Sequence, residues 1–412
     1  MIITFDRSGN RPYWSTDKIF KIAQKSIPMV LIYVPFPLLS YYGSAVRPLE
    51  QVRGLKKTNL AIELYSMYID DESKKFINFN INFNESIFAK LFDMKLTLKR
   101  LVYETMEEFI SLKNIKYISS NKIIYLHFSY KFYTLYLKKK IIDKIFKNNS
   151  IIFVDIHGIT TYEVGKHFQN IMRYIEDFLK KSDGIVVSNI SVGNVLNKEF
   201  GLSEYFVLPD LVDIDYHLQP LLRKSYFHNN YFNICYSGSL TSEQNIDEMI
   251  TNIGMLLQKC DRCRFTMIGG YGGQSSLGTI KNVLRSNMNR VYLTSRVPYT
   301  QVHRMLSHCD LFITLKKTLI QSNQKLLLYS VFGKPVIAYD SLVNRFLKEA
   351  YDLPNVILVN NNIYETMLRI INDYNNYTIK DINKFIINYK KRYYFYLLSF
   401  FKYILSVINE TN

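Results

Sequence analysis

Four cysteines in 412 residues, Cys235, Cys260, Cys263 and Cys309, are too few to imply a disulfide scaffold. Cys260-Asp-Arg-Cys263 has the spacing of half a zinc site, but no second Cys or His pair of matching spacing follows, so two ordinary thiols at a helix end are expected. No uninterrupted run of about 18 to 20 apolar residues occurs, and no spanning helix is expected. No early basic, apolar and small-residue stretch reads as a signal peptide, which makes the cytoplasm the expected location. Acidic residues are outnumbered, 35 against 52 basic ones, and the net charge of +17 draws anions to the surface. That field does not choose among nucleotides, acidic lipid headgroups and nucleic acid. Nucleic acid is set aside because lysines and tyrosines are interleaved nearly everywhere and no binding motif stands out.

The common phosphate fingerprints are also missing. There is no G-x-G-x-x-G between a strand and a helix and no G-K-[ST] loop; Gly269, Gly270, Gly272 and Gly273 cluster without the full spacing. Dinucleotide-dependent and ATP-hydrolysing chemistry therefore lose their strongest support. Asp213 and Asp215 have D-x-D spacing but fall near the expected linker, so no metal and no resident cofactor are expected.

What is present is alternation. The length suits two domains of about 150 to 200 residues each, and an apolar fraction of 48% can fill both. MVLIYVPF, KIIYLHF, IIFVDIHG, GIVVSN and YFVLP are short apolar runs of the kind buried in parallel sheets. Segments with helical spacing separate them, including RPLEQVRGLKKTNLAIELY at 47–65 and a helix near 191–200. FNICYSGS, RFTMIGG, RVYLTS, DLFITL, PVIAYD and NVILV repeat the pattern after 230. The expected class is α/β, two tandem Rossmann-like domains: 1–215, a linker at 216–230, and 231–379. A helical segment at 380–412 would dock on the domains or lie on a bilayer surface. Ligands of such sheets bind outside the carboxyl ends of the strands.

Several residues stand at those ends. Gly43-Ser44 and Gly238-Ser239 follow the first clear strand of each half, where backbone N–H groups at a helix start favour an anion; ordinary turn chemistry is the competing explanation. Asp155 and His157 close IIFVDIHG on one side of the strand, with Gly158 next and Glu163 downstream, a constellation suited to catalysis. Lys325 sits near the start of the helix in QSNQKLLLYSVFGKPV, where its charge opposes the helix dipole unless an anion shares the site.

The ordered stretches PFPLLSYYGSAVRPLEQVRGL, VDIHGITTYE, GIVVSNISVGNVL, VLPDLVDID, YSGSLTSEQNIDEMI, RVYLTSRVPYTQVHRMLSHCDLFITL and KLLLYSVFGKPVIAYD resemble the GT-B glycosyltransferases, closest to the retaining family 4 class. The resemblance implies an acceptor cleft formed largely by the first domain and a nucleotide-sugar held mainly by the second. It implies that Gly43 and Ser44 approach the donor phosphates and that His157 contacts the transferred sugar. Asp213 becomes a structural turn residue.

The departures are specific. Lys325 and Tyr329 of the K-x-x-E-Y pattern remain, but the two glutamate positions of such enzymes hold Ile320 and Leu328, which cannot accept hydrogen bonds. Ser239 and Gln244 stand where basic residues are common, so the donor would lean on Lys325, backbone N–H groups and Arg296. Two expectations follow: a hexosyltransferase using a UDP- or GDP-linked sugar and a saccharide acceptor, lipid-linked or on a growing surface polymer, or a noncatalytic partner of another transferase. Lys131, Lys138, Lys139, Lys140, Lys144 and Lys147, interleaved with Phe132, Tyr133, Tyr136 and Phe146, give a surface that suits either anionic lipid or plain solvation.

Overall fold

A computed structural model describes residues 30–34, 43–57, 61–66, 69–77, 123–127, 150–157, 176–218, 231–240, 244–269, 278, 280, 282–294, 297–317 and 320–411. They form two compact units. The first comprises the described residues up to Leu208 together with 396–411; the second runs from Pro209 to Phe395.

In the first unit, strands β1 (Val30–Val34), β2 (Ile62–Ser66), β3 (Ile123–His127), β4 (Ile151–Ile156), β5 (Gly184–Val187) and β6 (Phe206–Val207) make one sheet in the order β2-β1-β3-β4-β5-β6. Every pairing is parallel. Leu31, Ile32, Ile124, Phe153, Val154 and Val186 are fully buried, as expected of strands covered on both faces. The segment read as one helix at 47–65 is two elements: α1 (Gly43–Lys56) ends early, and 62–66 joins the sheet edge as β2. Pairing with β1, which buries Leu64 opposite Ile32, overrides the helical spacing. Helix α2 (Asp71–Ile77) follows. Helix α3 (Ile190–Phe200) starts where Asn189 Oδ1 accepts from the Ser191 and Val192 N–H groups, and it stops at Gly201 in the left-handed region.

Strand order reverses at β1: the chain moves to β2 on one side and then to β3 on the other. The carboxyl ends of β1 and β3 therefore flank the switch point, where an open α/β sheet admits ligands.

The second unit opens with a short turn of helix, α4 (Ile214–His217). Strands β7 (Phe232–Ser237), β8 (Cys263–Ile268), β9 (Val291–Leu293), β10 (Leu311–Thr314), β11 (Val336–Tyr339) and β12 (Val356–Val359) are ordered β12-β11-β10-β7-β8-β9. The reversal falls between β7 and β10. Helices α5 (Ile246–Lys259), α6 (Tyr299–Leu306), α7 (Gln324–Ser330), α8 (Leu342–Tyr351) and α9 (Ile363–Asn372) accompany this sheet. The chain enters the unit at Pro209. The reason is local: the Asp210, Leu211 and Val212 carbonyls accept hydrogen bonds from the Tyr351 hydroxyl, the Gln324 amide and the Tyr389 hydroxyl.

The last helices are α10 (Tyr374–Tyr377) and α11 (Ile382–Thr411). Residues 382–395 of α11 belong to the second unit, where Tyr389 stacks on Tyr351. Residues 396–411 belong to the first, where Tyr403 stacks on Phe206 and bonds both backbone groups of Ile185. Among the described residues no helix is long and apolar enough to cross a membrane. The lysine-rich segment 131–147, Gly158, Glu163, Gly270, Gly272 and Gly273 lie outside the described residues.

Two cysteines do pair. Cys235 in β7 is bonded to Cys309, just before the neighbouring strand β10, with Cα atoms 6.0 Å apart. Nothing in a separation of 74 residues signals this, because only the strand order makes them neighbours. Cys260 and Cys263 are free thiols where α5 ends and β8 begins.

Candidate functional site

The first cluster gathers at the switch point of the first sheet. His127 ends β3 and stands in register with Asp155 of β4. His157, two residues on from Asp155, falls on the same side. Helix α1 supplies the other wall, since Arg47 and Gln51 are four residues apart and share a face. Arg47 grips the Asp155 carboxylate as a fork, Nε to Oδ2 at 3.2 Å and Nη2 to Oδ1 at 3.0 Å, and Nη2 also donates to the Leu208 carbonyl. The Gln51 amide donates to Oδ2 at 2.8 Å. Gly43 and Ser44 open α1, a turn ahead of Arg47.

Asp155 and His127 are fully buried, while His157 keeps 26% of its side-chain surface exposed. Burial alone would raise the Asp155 pKa; the Arg47 guanidinium, helped by His157 and His127, reverses this and holds the carboxyl well below its usual value. Burial pushes His127 the other way, well below an ordinary imidazole, against the pull of Asp155. The deepest imidazole is thus neutral beside a fixed carboxylate. His127 Nδ1 lies 2.9 Å from His157 Nε2, and these atoms are 3.4 and 3.6 Å from Asp155 Oδ2.

Two histidines and a carboxylate this close have the spacing of metal ligands. The carboxylate, however, already accepts from Arg47 and Gln51, and a dication there would stand against the guanidinium charge. A hydrogen-bonded network fits these residues better than a metal centre.

The second cluster lies at the reversal of the second sheet, where β7 runs out into Gly238. Lys325 of α7 places its ammonium against this turn, 2.6 Å from Gln244 Oε1, 3.0 Å from the Tyr236 hydroxyl and 4.6 Å above the Tyr236 ring centre. Tyr236 in turn donates to the Ser239 carbonyl. Gly238 has φ +138°, and a β-carbon there would meet Lys325 Cε at 2.6 Å, so the lysine occupies space that only glycine leaves. Its own N–H donates to the Ile268 carbonyl, tying the turn to β8.

The Lys325 side chain keeps some exposed surface, yet its ammonium is desolvated. Burial, with the charge of Lys316, lowers its pKa to about 7. Among the described residues it has no carboxylate partner. Tyr329 is buried and stacked on Phe312; its hydroxyl accepts from the Ser237 N–H at 2.7 Å and faces the Ser237 carbonyl and Oγ. It shapes the turn from beneath.

The structure thus brings together Asp155 and His157 in one unit, and Gly238, Ser239, Gln244, Lys325 and Tyr329 in the other. Arg296 lies outside the described residues. Leu328 is buried on α7 and Ile320 is half-buried ahead of it. Asp213 caps α4 by accepting from the Asp215 N–H, and Asp215 pairs with Lys390 at 2.7 Å, so their D-x-D spacing serves chain turning and an ion pair. Sequence reasoning missed Arg47, Gln51 and His127. The four-residue spacing of the first two was a readable sign of one helix face, and His127 closes a strand as His157 does.

These two parallel sheets, each flanked by helices, have the GT-B architecture of two Rossmann-like domains. Solved structures with this arrangement include Alr3699/HepE of Anabaena with UDP-glucose (TM-score 0.63, 11% identity, 93% of this chain and 100% of that one). A glycosyltransferase of Rickettsia africae ESF-5 (TM-score 0.60, 13% identity, 93% and 99%) and the sucrose-phosphate synthase tll1590 of Thermosynechococcus elongatus (0.59, 13%, 89% and 94%) are similar too. At such identities the likeness shows the fold. No protein-family model matches the chain, and no curated protein matches it in sequence.

Proposed function

We propose that the protein is a glycosyltransferase that moves a hexosyl group from a UDP- or GDP-linked sugar to a hydroxyl of a saccharide, free or lipid-linked, in surface glycan synthesis. The observation that carries this reading is Lys325: a desolvated ammonium over a glycine turn, bonded among the described residues only to neutral oxygens. A buried cation without an anion is unfavourable unless a ligand supplies the charge. A diphosphate supplies it, and the solved Alr3699/HepE structures contain UDP, UDP with glucose, and UDP-glucose.

In this reading Lys325, with Ser239, Gln244 and Arg296, stabilises the nucleoside diphosphate as negative charge develops on it. Gly43 and Ser44 approach the same phosphates, Tyr329 holds the turn, and His157 acts on the hexosyl group. The acceptor oxygen bonds to the anomeric carbon, the bond from that carbon to the phosphate oxygen breaks, and the acceptor proton passes to the departing phosphate. Retention of configuration and independence from metal belong to the same proposal. So does action at the inner face of a membrane, which suits the net charge of +17.

The replacement of carboxylates by Ile320 and Leu328 favours a second reading, a noncatalytic partner of another transferase. Calorimetric titration with UDP, GDP and their hexose forms, followed by assays of donor hydrolysis alone and with candidate partner transferases, separates the two. Binding with turnover by the protein alone supports the enzyme; turnover only with a partner supports the second reading. No nucleotide signal in any mixture removes both.

A further inference from the structure

We propose that His127 is a positioning residue for His157: it donates its Nδ1 proton toward His157 Nε2 and so keeps the His157 proton on Nδ1, the nitrogen turned away from this contact. The assignment deepens the proposed function, since it says which hydrogen-bonding face His157 offers to a sugar hydroxyl.

Only one proton fits between two imidazole nitrogens 2.9 Å apart. The far nitrogen of His127 decides where it resides. The Asp155 carboxylate is fixed by Arg47 and Gln51 and kept ionised, and its Oδ2 lies 3.4 Å from His127 Nδ1 and 3.6 Å from His157 Nε2, so it faces a proton on either nitrogen. A proton on His127 Nδ1 therefore faces both the carboxylate and the His157 lone pair. The reverse arrangement would put the His127 proton on Nε2, which is buried and, among the described residues, has no hydrogen-bond partner. A buried N–H without an acceptor is the costlier orphan. Burial disfavours the imidazolium form of His127, which would carry the same Nε2–H. Because His127 is fully buried, it acts through His157 and has no surface to offer a substrate.

The test uses the full chain with 15N-labelled histidine near pH 8, where an ordinary imidazole is neutral (about 6.5). Long-range 1H–15N spectra, with His157→Gln for assignment, should show His157 protonated on Nδ1 and bare on Nε2. In His127→Leu the Nε2–H form should become the major species, because Asp155 is then the acceptor left beside that nitrogen. His127→Asn, whose amide can donate from the place of Nδ1, should restore the wild-type pattern. Transfer by His127→Leu should fall about tenfold or more in kcat with little change in donor KM, and Asn should recover most of the loss.

A wild-type His157 protonated on Nε2, or an unchanged tautomer in a folded His127→Leu protein, overturns the inference. If the leucine variant does not fold, the wild-type and asparagine spectra decide. The spectra need no turnover, so the tautomer shift can appear in a protein that transfers nothing. That outcome would refute the proposed function and leave the His127 assignment standing.

Discussion

The Lys325 ammonium donates to the Gln244 amide oxygen at 2.6 Å, a neutral partner in a place where a buried cation would ordinarily face a carboxylate. With the free lysine titrating near 7, a sugar nucleotide should bind best to the protonated form. Its diphosphate has no proton to lose in that range. Affinity should be full below pH 7 and fall about tenfold per unit above it, until the pKa of the liganded lysine is reached. Calorimetry from pH 6 to 9 checks this; Lys325→Met should bind weakly and lose the slope. Gln244→Glu should also weaken binding, because the new carboxylate neutralises Lys325 before phosphate arrives. The same shift predicts that the stability of the free protein rises between about pH 7 and the ordinary lysine value of 10.5, since the unfolded chain then holds the extra proton.

Gly238→Ala tests whether the turn and the lysine are one device. A β-carbon would collide with Lys325 Cε and strain a backbone at φ +138°. The expected result is a loss of about 1 to 3 kcal/mol in stability and donor binding as weak as in Lys325→Met. Gly201→Ala is the control: φ is +67° but nothing lies within 4 Å, so about 1 kcal/mol is lost and donor affinity is kept. Denaturant melts and the same titrations distinguish these cases.

Arg47 and Asp155 should behave as a buried pair. Removing one partner, in Arg47→Met or Asp155→Asn, should cost about 3 to 5 kcal/mol, and the double variant less than the sum. The folded Asp155 pKa is depressed, so its contribution is present above the unfolded value of 3.8 and disappears as pH falls through the folded value. Melting temperature against pH should therefore drop less steeply in acid for Asp155→Asn. If the neighbouring histidines instead held a metal, chelator would lower the wild-type melting temperature; dialysis against EDTA should leave it and donor affinity unchanged.

Much of the fold was legible because its strands are continuous apolar runs with turn residues at their ends; β4, β5, β7, β10 and β11 fall where such runs predict. β2 was not, since AIELYS also fits helical spacing and only β1 makes it a strand. Asp155, His157, Gly238 and Lys325 stood out as polar or small residues where apolar runs stop. Arg47, Gln51 and His127 were hidden within apparently ordinary elements. Their meaning depends on the switch in strand order, which delivers β3 and α1 to Asp155 and which local sequence does not encode. The Cys235–Cys309 bond was invisible for the same reason.

Leu328 offers the sharpest test of the donor site. It is buried, with 4% of its surface exposed, on the helix that carries Lys325 and Tyr329. Leu328→Glu would place a carboxylate in that dry position and should destabilise the free protein by about 2 to 5 kcal/mol, more as pH rises and the group is forced to ionise. Ribose hydroxyls lying against position 328 would give this carboxylate two donors. Saturating UDP- or GDP-sugar should then raise the melting temperature of the variant by more than it raises that of wild type. Equal shifts in the two proteins would remove position 328 from the donor site, and with it the registration of the nucleotide along α7.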